Sequence, residues 1–167
     1  MLHFGKHPPF SFEKFIQMCA EFMPGQDQAF LEAIRLGPEG YYQTQQATLR
    51  KWHDLNFALQ NELVKLRSVR KRLDPAKYLR QDGNIVDSNL IHVAMNAYKA
   101  TSLLEAEKIL DQARWQILEE LSVGHYFDLD VLIIYGLKLL LLERWQKINS
   151  ADRAKLLADT LTKNEQS

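Results

Sequence analysis

A chain of 167 residues with a single cysteine, Cys19, forms no internal disulfide and holds no Cys-rich zinc or iron–sulfur site within one copy. A reducing, cytoplasmic setting suits it, and its length is enough to build a core without staples. Long apolar runs are also missing. The most apolar stretch, 131–142, is twelve residues long and contains Lys138, whereas a membrane span takes about 20. It predicts a buried helix. The opening segment has His3, Lys6 and His7 but no apolar run of signal-peptide length, and Pro8-Pro9 would interrupt one, so no export signal is expected. Net charge is absent as well: 21 basic residues balance 21 acidic ones. The molecule as a whole has no general attraction for nucleic acid or anionic membrane, and any such attraction must be local.

Catalytic signatures are equally scarce. There is no P-loop, no G-x-G-x-x-G and no G-x-S-x-G. No H-E-x-x-H pattern is present; His53, His92 and His125 stand far apart, and His3 and His7, although four residues apart, lie beside Pro8-Pro9 in a segment without helical periodicity, so no helix is expected to bring two imidazoles onto one metal. No metal or cofactor is expected. Carboxylates pair in sequence at Glu105 and Glu107, Glu119 and Glu120, and Asp128 and Asp130. Each pair falls at a helix start or on a polar face, where capping and solvation account for it. Cys19 sits on an apolar stripe and reads as a packed residue. The one enzymatic arrangement to weigh is a pocket assembled from His125, Asp128 and Tyr135, and nothing in the pattern favours it, so the expectation is a protein that is not an enzyme.

What is present is helical periodicity. Ser11 caps a helix carrying Phe12, Phe15, Ile16, Cys19 and Phe22, with Pro24-Gly25 expected to end it. Asp27 is expected to cap a second helix with Phe30, Leu31 and Ile34, closed by Gly37-Pro38. Between Gly40 and Leu73, the residues Trp52, Leu55, Leu59, Leu63, Leu66, Val69 and Leu73 recur every three or four positions. That spacing predicts one long helix lying along a partner. Asp74-Pro75 opens a short helical piece, and the 81–88 segment turns the chain and marks a possible subdivision of a single 1–167 domain. Asp87 or Ser88 then starts a helix with Leu90, Val93, Ala94 and Ala97 on one face.

Ser102 and Glu105 form a capping box ahead of a stripe of Leu103, Ala106, Leu110, Ala113, Ile117 and Leu121, with Gly124 at the close. Asp128 caps the apolar helix that runs to Ile148, and Ser150 is expected to cap a last helix over 151–162. Within the apolar helix Lys138 is expected to extend its ammonium to the surface, with contact to a partner as the alternative. Trp52, Trp115 and Trp145 read as core. Ile85-Val86 is too short to build a sheet. The predicted fold is all-α, an elongated helical bundle of six to seven helices with one long helix.

Charge is unevenly distributed along this scaffold. Residues 1–60 carry a net −1, 61–80 a net +5, and 81–167 a net −4. Lys65, Arg67, Arg70, Lys71 and Arg72, followed by Lys77 and Arg80, give the long helix a basic end suited to an acidic protein surface or to phosphates. Part of the excess is explained by the helix dipole, which favours cations at the C-terminus. No aromatic residues interleave with Lys65–Arg72, which argues against single-stranded nucleic acid. A regulatory or nucleic-acid-binding module using 65–80 is the alternative to a protein-binding role.

Leu104 to Trp115, Gly124-His125-Tyr126-Phe127-Asp128, the segment from Lys138 to Trp145, the opening Phe4 to Glu13, and Asn61 to Leu79 together resemble an uncharacterised bacterial family whose members are encoded among V/A-type ATPase subunits. The resemblance covers most of the chain. It implies the place usually held by the C subunit, the helical piece joining the central stalk to the membrane ring. The last long helix, Val131 to Tyr135 with Lys138, Glu143 and Arg144, is distantly similar to the C subunit itself, although the Asn-Leu-Arg that usually comes next is replaced and the chain is shorter. The resemblance also implies a Tyr-rich apolar lead, in place of which the chain opens Met1-Leu2-His3. The function it implies is that of a non-catalytic helical subunit or accessory factor of a proton- or sodium-coupled ATPase. Such a factor would lie at the inner face of the cell membrane through protein partners only, with Lys65, Arg67, Arg70, Lys71 and Arg72 meeting the stalk or ring and no nucleic acid bound.

Overall fold

A computed structural model describes residues 2–37, 45–80, 85 and 87–164, with side chains described up to residue 151. Among the described residues the fold is all-α: six helices and no strand. They are α1 (Phe12–Ala20), α2 (Gly25–Leu36), α3 (Ala47–Lys71), α4 (Ser88–Lys99), α5 (Leu103–Leu121) and α6 (Leu129–Asn164), with one 3-10 turn at Pro75–Lys77. α1 and α2 pack as a hairpin on one side of α6, while α3, α4 and α5 pack together on the other. The apolar 131–142 stretch sits between the two layers, burying Ile133, Ile134, Leu137, Leu139 and Leu142.

Local caps set most of the helix ends. The Ser11 hydroxyl accepts from the Lys14 N–H, and the Phe12 N–H donates to the Glu143 carboxylate of α6 at 2.7 Å. Two of α1's free donors are satisfied in this way, one of them from the far end of the chain. Pro24-Gly25 does not merely end α1. Pro24 is the N-cap of α2, three positions before the expected cap Asp27, which falls within the helix's first turn. The Gln28 side chain reaches back to donate to the carbonyls of Ala20 and Met23, so one residue ties the two helices at their junction. Gly37 closes α2 with φ of 68°, a conformation glycine adopts without cost.

α3 spans 25 residues, about 37 Å at 1.5 Å per residue. The part of the expected helix from Gly40 to 44 lies outside the described residues, as does most of the expected subdivision at 81–88. Trp52, Leu59 and Leu63 of the stripe are buried, and Leu55 and Leu66 pack against the core. Val69 and Leu73 continue the same stripe in sequence but emerge from the core, 76% and 46% exposed.

On α5 Leu110 and Ile117 of the expected stripe are buried and Ala106 and Leu121 pack against the core; Trp115 and Leu118 widen the buried face, and Leu103 at the first position is exposed. The capping box forms: Ser102 accepts from the Glu105 N–H, and the Glu105 carboxylate reaches back to the backbone of Ser102 as well as to the backbone N–H and hydroxyl of Thr101.

Ser150 caps nothing. α6 runs unbroken from Leu129 to Asn164, and the Ser150 hydroxyl donates to the Lys147 carbonyl within it. Lys138 does not reach the surface: it is 8% exposed, donating to Glu119 of α5 at 2.8 Å and lying 5.3 Å from the centre of the Trp115 ring. Two turns earlier on α5, the wholly buried Asp111 carboxylate accepts from Arg114 at 2.6 Å, from the Trp145 indole at 2.9 Å, and from Arg144. Arg144 also binds Glu107. The buried charge of Asp111 is tolerated because both of its carboxylate oxygens meet donors. Trp52, Trp115 and Trp145 are all core residues, and Phe4 of the N-terminal segment packs on both Trp115 and Trp145, with ring centres 5.7 and 6.2 Å apart.

Candidate partner-binding surface

The end of α3 determines how the basic residues are presented. Arg72 takes the left-handed conformation, φ 55°, and its N–H bonds back to Val69 while the Leu73 N–H bonds back to Ser68. This paired closure stops the helix and turns the chain without a glycine. Asp74 then caps the Pro75–Lys77 turn, and the segment beyond is clamped: the Asn61 amide donates to the Arg80 carbonyl and accepts from the Arg80 N–H, both at 3.0 Å.

The five sequence-predicted cations divide on this scaffold. Lys65 is paired with Glu62 at 2.5 Å, one turn back. Arg67, Arg70, Lys71 and Arg72 are exposed and make no ion pair among the described residues. Arg80 of the wider basic segment stays exposed but lays its guanidinium over Phe57, 4.3 Å from the ring centre.

Two clefts flank Arg67 and Lys71, which line both. One, of about 290 Å³, runs between Val64, Leu73 and Tyr78. The other, of about 360 Å³, lies between α3 and the α4–α5 junction and has Leu63, Ala97, Ala106 and Leu110 among its lining residues. Leu103 stands at its edge. Sequence reasoning does not single out these apolar residues as a site. The signal that could flag them is Leu103, an apolar residue at the first position of a capped helix, where few neighbours can cover it.

The other end of α3 differs in chemistry. Gln46 and Thr48 donate to the Asp130 carboxylate there, fastening α3 to the start of α6. The adjoining α5–α6 turn exposes Val123, Tyr126 and Phe127. His125 lies 2.6 Å from Asp128 and 3.9 Å from Asp130. The hydrogen bond to Asp128 raises the pKa of His125 and lowers that of Asp128. His125, Asp128 and Asp130 therefore do converge, yet both carboxylates have structural roles. Asp128 caps α6 through the Val131 N–H, and Asp130 takes the bonds from α3. Tyr135 is not with them. It packs between Phe10 and Phe15, with ring centres at 6.1 and 5.2 Å.

The remaining carboxylate pairs are divided between roles too. Glu105 binds Thr101, which lowers its pKa through the hydroxyl hydrogen bond first; Glu107 binds Arg144, and Glu119 binds Lys138. Burial pushes the Cys19 thiol up, away from the reactive thiolate. Among the described residues no helix is long and apolar enough to cross a membrane.

The class defined by these observations is an all-α bundle with a basic, partly apolar surface at one end and an aromatic turn at the other. Residues 36–164 match the family described as a protein of unknown function, DUF2764, and the chain belongs to that family. No curated protein and no solved structure matches it significantly.

Proposed function

We propose that this protein is a non-catalytic helical subunit or accessory factor of a V/A-type ATPase, acting as a connector between the central stalk and the membrane ring in the manner of the C subunit. The observation that carries a binding role is the group Arg67, Arg70, Lys71 and Arg72, four exposed cations without a carboxylate partner among the described residues, beside an apolar stripe that continues past the core through Val69 and Leu73. Unpaired charge next to uncovered apolar surface is the composition of an interface core and rim. A second observation favours a connector. The basic end and the Val123, Tyr126, Phe127 turn lie toward opposite ends of α3, a helix about 37 Å long. A molecule with two chemically different ends suits bridging two different neighbours. The ATPase itself comes from the family resemblance of the sequence, and so does a cytoplasmic position at the membrane's inner face.

The test is affinity capture of the tagged chain from gently solubilised membranes of cells that encode it, at near-physiological salt. ATPase subunits recovered in constant ratio are expected for a subunit, and sub-stoichiometric recovery for an assembly factor. Charge reversal at Arg67, Arg70 and Arg72 is expected to abolish the recovery. Nucleic acid in place of ATPase subunits, with the steep salt dependence of phosphate contacts, would instead establish the alternative module.

A further inference from the structure

We infer that the cleft between the last turns of α3 and the α4–α5 junction is a docking groove for an acidic amphipathic helix of a partner protein. This deepens the reading above and rests on the basic end being a partner surface. It names what that end recognises.

Charge selects an acidic occupant. Arg67, Arg70 and Lys71 all line the cleft, Arg67 standing three and four residues before the other two, so the three cluster on one face of α3. Glu107 lines the same cleft, but its carboxylate is taken by Arg144, leaving the three cations unneutralised. A helix with Glu or Asp at the same three- and four-residue spacing presents a matching cluster.

Shape and polarity select a helix face. The floor is aliphatic, Leu63, Ala97, Ala106 and Leu110, and the small alanines let a second backbone come close. A volume of about 360 Å³ holds only a few side chains, which suits one or two apolar anchors from a helix face. Leu103, 76% exposed at the rim, would be covered by the incoming helix. Arg67, Arg70 and Lys71 would serve a phosphate as well as a carboxylate, but Leu63, Ala97, Ala106 and Leu110 beside them desolvate a Leu or Ile and add nothing to a phosphate contact, so the lining as a whole fits an acidic amphipathic helix better than nucleic acid.

The purified chain can be titrated by fluorescence anisotropy against three synthetic helical peptides: one with Glu and Leu on a shared face, one with Gln replacing Glu, and one with Ser replacing Leu. Only the first is expected to bind well, with at least about a tenfold preference, equivalent to about 1.4 kcal/mol. Ala106→Trp, which fills the floor, and the Arg67→Glu, Arg70→Glu pair should each weaken it by a similar factor. Leu103→Glu at the exposed rim provides a variant whose folding is not at stake.

Equal binding of the Gln or the Ser peptide would overturn the inference. So would binding indifferent to both Ala106→Trp and Leu103→Glu, preferential binding of a DNA strand or duplex, or self-association that Leu103→Glu abolishes, since a second copy would then be the occupant. Peptide binding with no ATPase subunit captured from membranes would discard the ATPase reading alone. Capture that survives Leu103→Glu and Ala106→Trp would discard the groove alone.

Discussion

Lys138 of α6 and Glu119 of α5 meet at 2.8 Å, with the ammonium nearly enclosed and the carboxylate partly open to water. Replacing one partner is therefore not equivalent to replacing the other. Glu119→Gln leaves an ammonium in an apolar helix with only the Trp115 face and is expected to cost about 1–3 kcal/mol. Lys138→Met removes the charge that needs a partner and fills the same volume, so it should be close to neutral. Urea unfolding midpoints of the two variants check the asymmetry, and equal losses would contradict it.

Gly136 lies in α6 where α1 and α2 cross it. A Cβ built there meets Phe12 at 3.0 Å and both Ile34 and Phe15 at 3.3 Å. Gly136→Ala gains up to about 1 kcal/mol of helix propensity but drives a methyl group into two aromatic rings and a buried isoleucine. Overpacking of this kind costs about 1–3 kcal/mol, so net destabilisation is expected, and a larger one for Gly136→Val. A rise in thermal midpoint for the alanine variant would show that the rings can move aside.

Arg72 holds a left-handed conformation that costs a side-chain-bearing residue about 1–2 kcal/mol. Arg72→Gly is expected to stabilise the fold by roughly 0.5–1 kcal/mol while removing one cation from the basic end. Higher stability together with weaker capture of the partner would show that the charge is kept for binding. A thermal melt and a binding titration on the same sample read both effects.

The His125–Asp128 pair makes stability depend on pH at the α5–α6 turn. The raised pKa of His125 means that its contribution is complete below its unfolded value, about 6.5, and is lost as pH rises through the higher folded value. The lowered pKa of Asp128 means that its contribution is present above its unfolded value, near 4, and is lost as pH falls through the lower folded value. The pair should contribute most between those two unfolded values. Comparing His125→Gln with the wild type by urea unfolding should show a difference in that window that shrinks above the His125 transition, which an NMR titration of the imidazole locates directly.

Helix boundaries are legible in the sequence wherever they depend on chemistry within a few residues. Ser11, Asp74, Asp87, Ser102 and Asp128 each accept from a backbone N–H two or three residues ahead. Ser150 misleads because a serine hydroxyl serves a cap and a mid-helix carbonyl equally well, and only packing along α6 decides between them. Asp27 misleads because Pro24-Gly25, which reads as a stop, is also a start.

Tertiary partners are less visible. Nothing in the residues around Lys138 announces Glu119, nineteen positions earlier on another helix. The basic end is legible as a charge excess, and its division is not. Lys65 is neutralised by Glu62 and Arg80 is turned onto Phe57, while the groove floor draws on α3, α4 and α5, which only the assembled bundle brings together.

The bond from the Phe12 N–H to Glu143 spans 131 residues, and Phe12 and Phe15 also pack against Gly136 of the same helix. On a ribosome adding about 5–20 residues per second, the N-terminal pair of helices waits roughly 7–26 s for the surface that receives it. During that interval Phe4, Phe10, Phe12 and Phe15 are exposed to solvent or to a holding chaperone. The order of synthesis thus runs against the order of assembly, and truncation before Gly136 should send the nascent product to aggregation or degradation before any partner is met.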